Sequence, residues 1–138
     1  MTSLDGNDLF SKFNGRAPVG AAEIERFRQE AGFDLPRDYV EFLQQSDGGE
    51  GWIGPNAYVI FYGLEELAER AKVYQFDEFA RGFFIFGSDG GGEAYAFDIR
   101  TSAMPIVMFP FIGLDPDVVD VMAPTFTQFL EVLASLDD

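Results

Sequence analysis

At 138 residues the chain has the length of one domain, and 47% hydrophobic with 16% aromatic content excludes a disordered acidic tail. Its 24 acidic side chains against 9 basic ones leave a net charge of −15, with six acids and no base beyond Arg100. Such a field repels phosphate backbones and attracts basic proteins, so no direct nucleic-acid binding is expected. The bland alternative is that the charge serves solubility alone.

Histidine and cysteine are both absent. Disulfides, thiolate zinc sites, cysteine nucleophiles and histidine-based general bases are therefore excluded. Proton transfer would fall to Asp, Glu, Tyr or the two lysines, Lys12 and Lys72. No apolar run approaches the roughly 20 residues of a membrane span. No cationic stretch followed by an apolar one opens the sequence, so a cytoplasmic protein is expected.

Residues 1–20 read as a loosely held N-terminal arm, pinned by Phe10 and Phe13 with room there for a short helix. Residues 21–138 read as a single domain. Its first helix spans Ala21 to Ala31, with Ile24, Phe27 and Ala31 on one face and Gly32 as the left-handed stop. A second helix starts at Pro36, a first-turn proline, and turns Tyr39, Phe42 and Leu43 inward. The two are close enough in sequence to form a helical hairpin.

Residues 47–56 read as a glycine-rich loop around the only tryptophan, Trp52. Ala57 to Phe61 reads as a strand, and Gly63 to Lys72 as a helix with Leu64, Leu67, Ala68 and Ala71 inward. Phe83 to Phe86 and Glu93 to Ile99 form a hairpin; Tyr95, Phe97 and Ile99 share one face, and Ala94, Ala96 and Asp98 the other. Ile106 to Phe109 is a strand in which Pro110 marks an edge or a bulge. Val118 to Met122 supplies one more short strand. A final helix begins at Thr125, with Gln128 completing a capping box and Phe126, Phe129, Leu130 and Leu133 buried. This order, with gaps too short for repeated crossovers, predicts an α+β fold with a mainly antiparallel sheet.

Three groups of residues compete as sites. Gly87 to Glu93 lacks the lysine of a phosphate-binding loop and the spacing of a calcium loop, so a structural turn is expected there. Trp52 either anchors a ligand from its loop or folds back to finish the core. The carboxylate pairs Glu65/Glu66 and Asp77/Glu78 and the run Asp115/Asp117/Asp120 are weak signals in so acidic a chain. Asp115-Pro116-Asp117 has the composition of a turn.

The order of motifs is itself informative. Leu35-Pro36-Arg37-Asp38-Tyr39-Val40-Glu41-Phe42-Leu43, followed by Asp47-Gly48-Gly49, resembles the opening of the SUKH superfamily, which includes fungal Smi/Knr-type cell-wall regulators and many bacterial relatives. Gly63 to Leu67, Gly87 to Asp98 and Thr125 to Leu130 are similar to its next helix, its glycine-rich hairpin and its closing helix. The resemblance implies an N-terminal helical hairpin and a C-terminal helix packed on a curved antiparallel sheet. For bacterial members it also implies immunity proteins that neutralise a cognate toxin, often a nuclease, with no catalytic residues and no cofactor.

The leading expectation is thus a non-catalytic domain whose acidic surface binds a basic protein partner such as a toxin domain. The candidate contact residues are Asp47, Glu50, Trp52, Asp89 and Glu93, with Asp98, Asp115, Asp117 and Asp120 extending the negative face; no metal site is expected. The alternatives are a regulatory scaffold in a signalling or cell-wall pathway, and a carboxylate-based enzyme or small-ligand binder. The last requires acids converging in a cavity, at least one with its pKa raised by burial.

Overall fold

The computed structural model describes residues 10–74, 82–110 and 119–136, with backbone alone for 70–74. Among them, α1 (Ala21–Ala31) ends at Gly32, whose φ of 84° is the left-handed stop expected there. Next comes α2 (Arg37–Leu43), with Tyr39, Phe42 and Leu43 buried. Two strands follow, β2 (Gly49–Ile53) and β3 (Ala57–Phe61), then α3 (Leu64–Tyr74). The hairpin β4 (Phe83–Ser88) and β5 (Glu93–Asp98), then β6 (Ile106–Pro110) and β7 (Asp120–Ala123), lead into α4 (Phe126–Ala134). Ahead of all of these, β1 (Lys12–Gly15) pairs with β2, so strand stands where a short helix was considered.

The seven strands among the described residues form one open antiparallel sheet in sequence order, β1 to β7, which together with the helices is the α+β fold expected. All four helices contribute to one core on one face: Phe27, Phe42, Leu67 and Phe129 join Phe61 and Phe97 of the sheet. Helix α1 packs along α3, and α2 along α4. The second pair is tied by Asp38, whose carboxylate accepts from the Thr127 backbone N–H (2.8 Å) and hydroxyl (3.0 Å). Tyr39 is fully buried at the centre, edge-on to Phe97 and Phe126. The opposite face of the sheet carries a smaller cluster, Phe83, Ile85, Ala94, Ala96, Val107 and Phe109.

Two expectations are corrected. The glycine-rich segment is not a loop but strand β2. Its sequence Gly-Glu-Gly-Trp-Ile alternates buried and exposed, with glycines at the first two inward positions. Those glycines are required because β1 crosses close by. A Cβ on Gly49 would lie 2.5 Å from the Asn14 carbonyl oxygen and 2.9 Å from the Phe13 ring, and one on Gly51 2.5 Å from the Lys12 carbonyl oxygen. The Phe13 ring, packed on Phe10, Phe42 and Phe61, fills the space that side chains would have taken. Second, Pro110 does not mark an edge: β6 lies between β5 and β7, and the register irregularity falls at Ile106/Val107. The sheet's edges are β1 and β7.

Candidate protein-binding surface

The strand alternation that turns Val59 and Phe61 into the helical core turns Glu50, Trp52, Tyr58 and Ile60 to the opposite face of the sheet. In the register of β2 and β3, Trp52 stands opposite Tyr58 and Glu50 opposite Ile60. The two rings pack edge to face at 5.4 Å, and the Tyr58 hydroxyl donates to a Glu50 carboxylate oxygen. That hydrogen bond raises the Tyr58 phenol above its ordinary pKa. Trp52 is 41% exposed, which overturns the reading that it folds back into the core. On its other side, β1 places Lys12 opposite Trp52 and Asn14 opposite Glu50.

The β4–β5 turn adjoins the same surface. Ser88 pairs in register with Ile60, and the position of a Cβ on Gly90 lies 3.5 Å from the Tyr58 ring. This turn holds Asp89, whose Oδ1 accepts from the backbone of Gly91 (2.7 Å) and Glu93 (3.1 Å). The carboxylate therefore organises the turn, as the side chain of a turn-forming aspartate does. Glu93 is half-buried at the start of β5. Burial, with the charges of Asp89 and Glu93 adding to it, pushes the Tyr95 phenol up to about 12.

Glu50 and Trp52 thus share one face with Tyr58, and the turn that holds Asp89 adjoins it; Glu93 instead shares the face of β5 that carries Tyr95 and Phe97 into the helical core. The other candidates lie elsewhere. Asp47 is on the helical side, where its Oδ1 accepts from the Leu64 N–H at 2.7 Å and caps the start of α3. Asp98 is buried at the far end of β5 and takes Arg100 as a two-pronged partner, with Nε and Nη2 both at 2.9 Å. The Arg100 guanidinium in turn sits 4.5 Å over the Phe83 ring. Those hydrogen bonds hold the Asp98 pKa below the usual carboxylate range, against the opposing effect of burial. Asp120 is exposed on edge strand β7. Asp115 and Asp117 lie outside the described residues.

Asp98 is joined by exposed Glu25, paired with Arg28, as a carboxylate displaced from its ordinary range, and both are lowered. That is opposite to the raised value a carboxylic general acid needs. Among the described residues no three acids converge to hold a metal ion, and no helix is long and apolar enough to cross a membrane.

Comparison with known proteins identifies the family. The family model described as SMI1 / KNR4 family (SUKH-1) matches residues 18–132. The chain belongs to the SMI1/KNR4 family. It is also similar to the uncharacterized protein YnaB of Bacillus subtilis (strain 168), 27% identical over 127 residues, covering 91% of this chain and 83% of that protein. In this SMI1/KNR4 member the motifs that carry the resemblance are mostly structural: Tyr39 and Phe42 are core, Asp38 and Thr125 organise α4, and Asp89 organises a turn. Tyr58 is not among the candidate residues drawn from the sequence, yet the spacing Trp-Ile-Gly-Pro-Asn-Ala-Tyr is a readable signal. A turn at Gly54–Asn56 necessarily brings the two rings opposite each other.

Proposed function

We propose that this SMI1/KNR4-family chain is a non-catalytic protein-binding domain that acts in the cytoplasm by neutralising a basic protein, such as a nuclease toxin domain. The observation that carries this reading is Trp52. A tryptophan left 41% exposed, braced by Tyr58 on the face of the sheet opposite the helical core, has the character of an interface anchor. Glu50 beside it, with Asp89 in the adjoining turn, gives that face the sign that a nuclease's phosphate-binding cleft would accept. The net charge of −15 would speed the encounter.

The test is capture from the lysate of the producing cell, with the captured protein then purified and its affinity measured. One dominant basic partner is expected, bound more slowly as salt rises. Trp52→Ala should weaken binding at least about 30-fold, the effect of a hot-spot residue, while leaving the melting temperature within a few degrees. Several weak partners insensitive to salt would favour a scaffold instead. A partner whose affinity ignores Trp52→Ala and Glu50→Lys would remove this surface from the interface.

A further inference from the structure

The helical side of the sheet holds a concavity, unconnected with the Trp52 face. Between α1 and α3 runs a cleft of about 490 Å3 with an apolar floor that includes Val19, Phe27, Leu64 and Ala68. Glu23, Arg26, Phe27 and Glu30 line it at the i, i+3, i+4, i+7 spacing of one face of α1. Glu65, Ala68 and Glu69 do the same on α3. Past Asp47 the cleft continues into a hollow beside Gly63 and Glu66, where Arg16 pairs with Glu66 at 3.1 Å.

Two of the rim acids have tasks within the fold. Asp47 caps α3, and Glu23 accepts from the Gly20 N–H at 2.6 Å. Glu30 and Glu65 have no hydrogen bond or ion pair among the described residues. Among the described residues, Arg26 is the sole basic one lining the main cleft. An apolar floor beneath an acidic rim matches a side chain that is itself divided, with a long aliphatic stem and a cationic tip. The span from Glu23 to Glu30 is roughly 10 Å at the helical rise, the length of about three residues of extended chain.

We propose that the α1–α3 cleft is a docking groove for a short basic segment of a partner protein. An arginine or lysine of that segment lays its stem on the Phe27–Leu64–Ala68 floor and its charge among the rim carboxylates. Charge complementarity selects this occupant, because the rim repels anions and the floor rejects a hydrated metal ion. The inference does not depend on the Trp52 reading, since the two surfaces lie on opposite sides of the sheet.

The test is an amide NMR titration of the full chain with the peptide acetyl-Ala-Arg-Leu-Arg-Ala-amide, against the same peptide with citrulline for arginine. Saturable shifts confined to residues 23–30 and 64–69 are expected, weakened by salt and absent with citrulline. The double variant Glu30→Gln/Glu65→Gln removes no cap and should bind at least about 5-fold more weakly. Trp52→Ala should bind the peptide as the parent does, so failure of one surface is read separately from failure of the other. No shifts, shifts spread over distant acids such as Asp120 and Glu131, equal binding of the citrulline peptide, or an unaffected double variant would each overturn the proposal.

Discussion

Replacing Gly51 by alanine tests whether the glycines of β2 exist to admit β1, and the cost can be worked from two effects. Gly51 has φ +145°, a region that L residues avoid at a cost of about 1–3 kcal/mol. An added Cβ would also meet the Lys12 carbonyl oxygen at 2.5 Å and the Phe13 Cα at 2.8 Å. Both are backbone atoms, so relief requires β1 itself to retreat. Retreat weakens ladder hydrogen bonds, each worth about 1 kcal/mol, and loosens Phe13 from Phe42 and Phe61. The sum is about 3–5 kcal/mol, or a fall in melting temperature on the order of 10–15 °C. Gly32→Ala separates the two effects: its φ is +84° but nothing lies within 4 Å of a Cβ there, so only backbone strain of about 1–2 kcal/mol is expected. Thermal unfolding by circular dichroism, with amide hydrogen exchange at β1, measures both variants. Equal losses in the two, or undiminished protection of β1 in the Gly51 variant, would refute the reasoning.

Three further outcomes are expected. Tyr39→Phe removes a buried hydroxyl that has no hydrogen-bond partner among the described residues, so unfolding free energy should stay level or rise by about 1 kcal/mol; a clear fall in denaturant midpoint would contradict this. Asp47→Ala should cost about 1 kcal/mol through the lost cap on Leu64 with no partner present, which chemical denaturation would detect; a neutral result would show that the α3 terminus is satisfied otherwise. Asp98 has a folded pKa depressed by Arg100, so its contribution is present above the unfolded value near 3.8 and is lost as pH falls through the folded value. The gap in melting temperature between the parent and Asp98→Asn should therefore narrow from pH 5 towards pH 2, and a gap constant over that range would mean that the ion pair contributes nothing.

Local chemistry was legible in the sequence wherever it spoke for itself. The span of α1 with its Gly32 stop, the Thr125 cap of α4 and the alternation of β5 follow from near neighbours. Strand β2 did not, because glycine is depleted from strands, and the reason for Gly49 and Gly51 lies in a strand 35 or more residues earlier. The alternation of Gly-Glu-Gly-Trp-Ile was there to be read, and taking it as a strand would have put Trp52 on the face opposite Ile53. The roles of the acids divide in the same way. Asp89, followed by three glycines, and Asp98, two residues before Arg100, have partners that sequence spacing suggests. Asp47, by contrast, caps a helix 17 residues on, and Asp38 reaches a helix 89 residues on. The α1–α3 cleft needs two separated helices to be placed side by side, and no single stretch of sequence carries that information.

This division of labour changes what the negative charge means. Asp38, Asp47, Asp89 and Asp98 accept hydrogen bonds that hold elements in place, and Glu23 closes the N-terminus of α1. Reversing any of them perturbs the fold before it perturbs a partner, so a scan of acidic residues chosen by sequence alone would mistake stability for recognition. Glu30, Glu65 and Asp120 carry no such duty among the described residues, and they are where electrostatics can be altered cleanly. Charges of that kind act mainly on the encounter rate and its salt dependence, whereas truncating the anchor proposed at Trp52 would act on dissociation. On the proposed reading, a negative field that would gather a basic partner from any side and a tryptophan that would retain it on one are separate devices, and rate measurements rather than affinities alone would tell them apart.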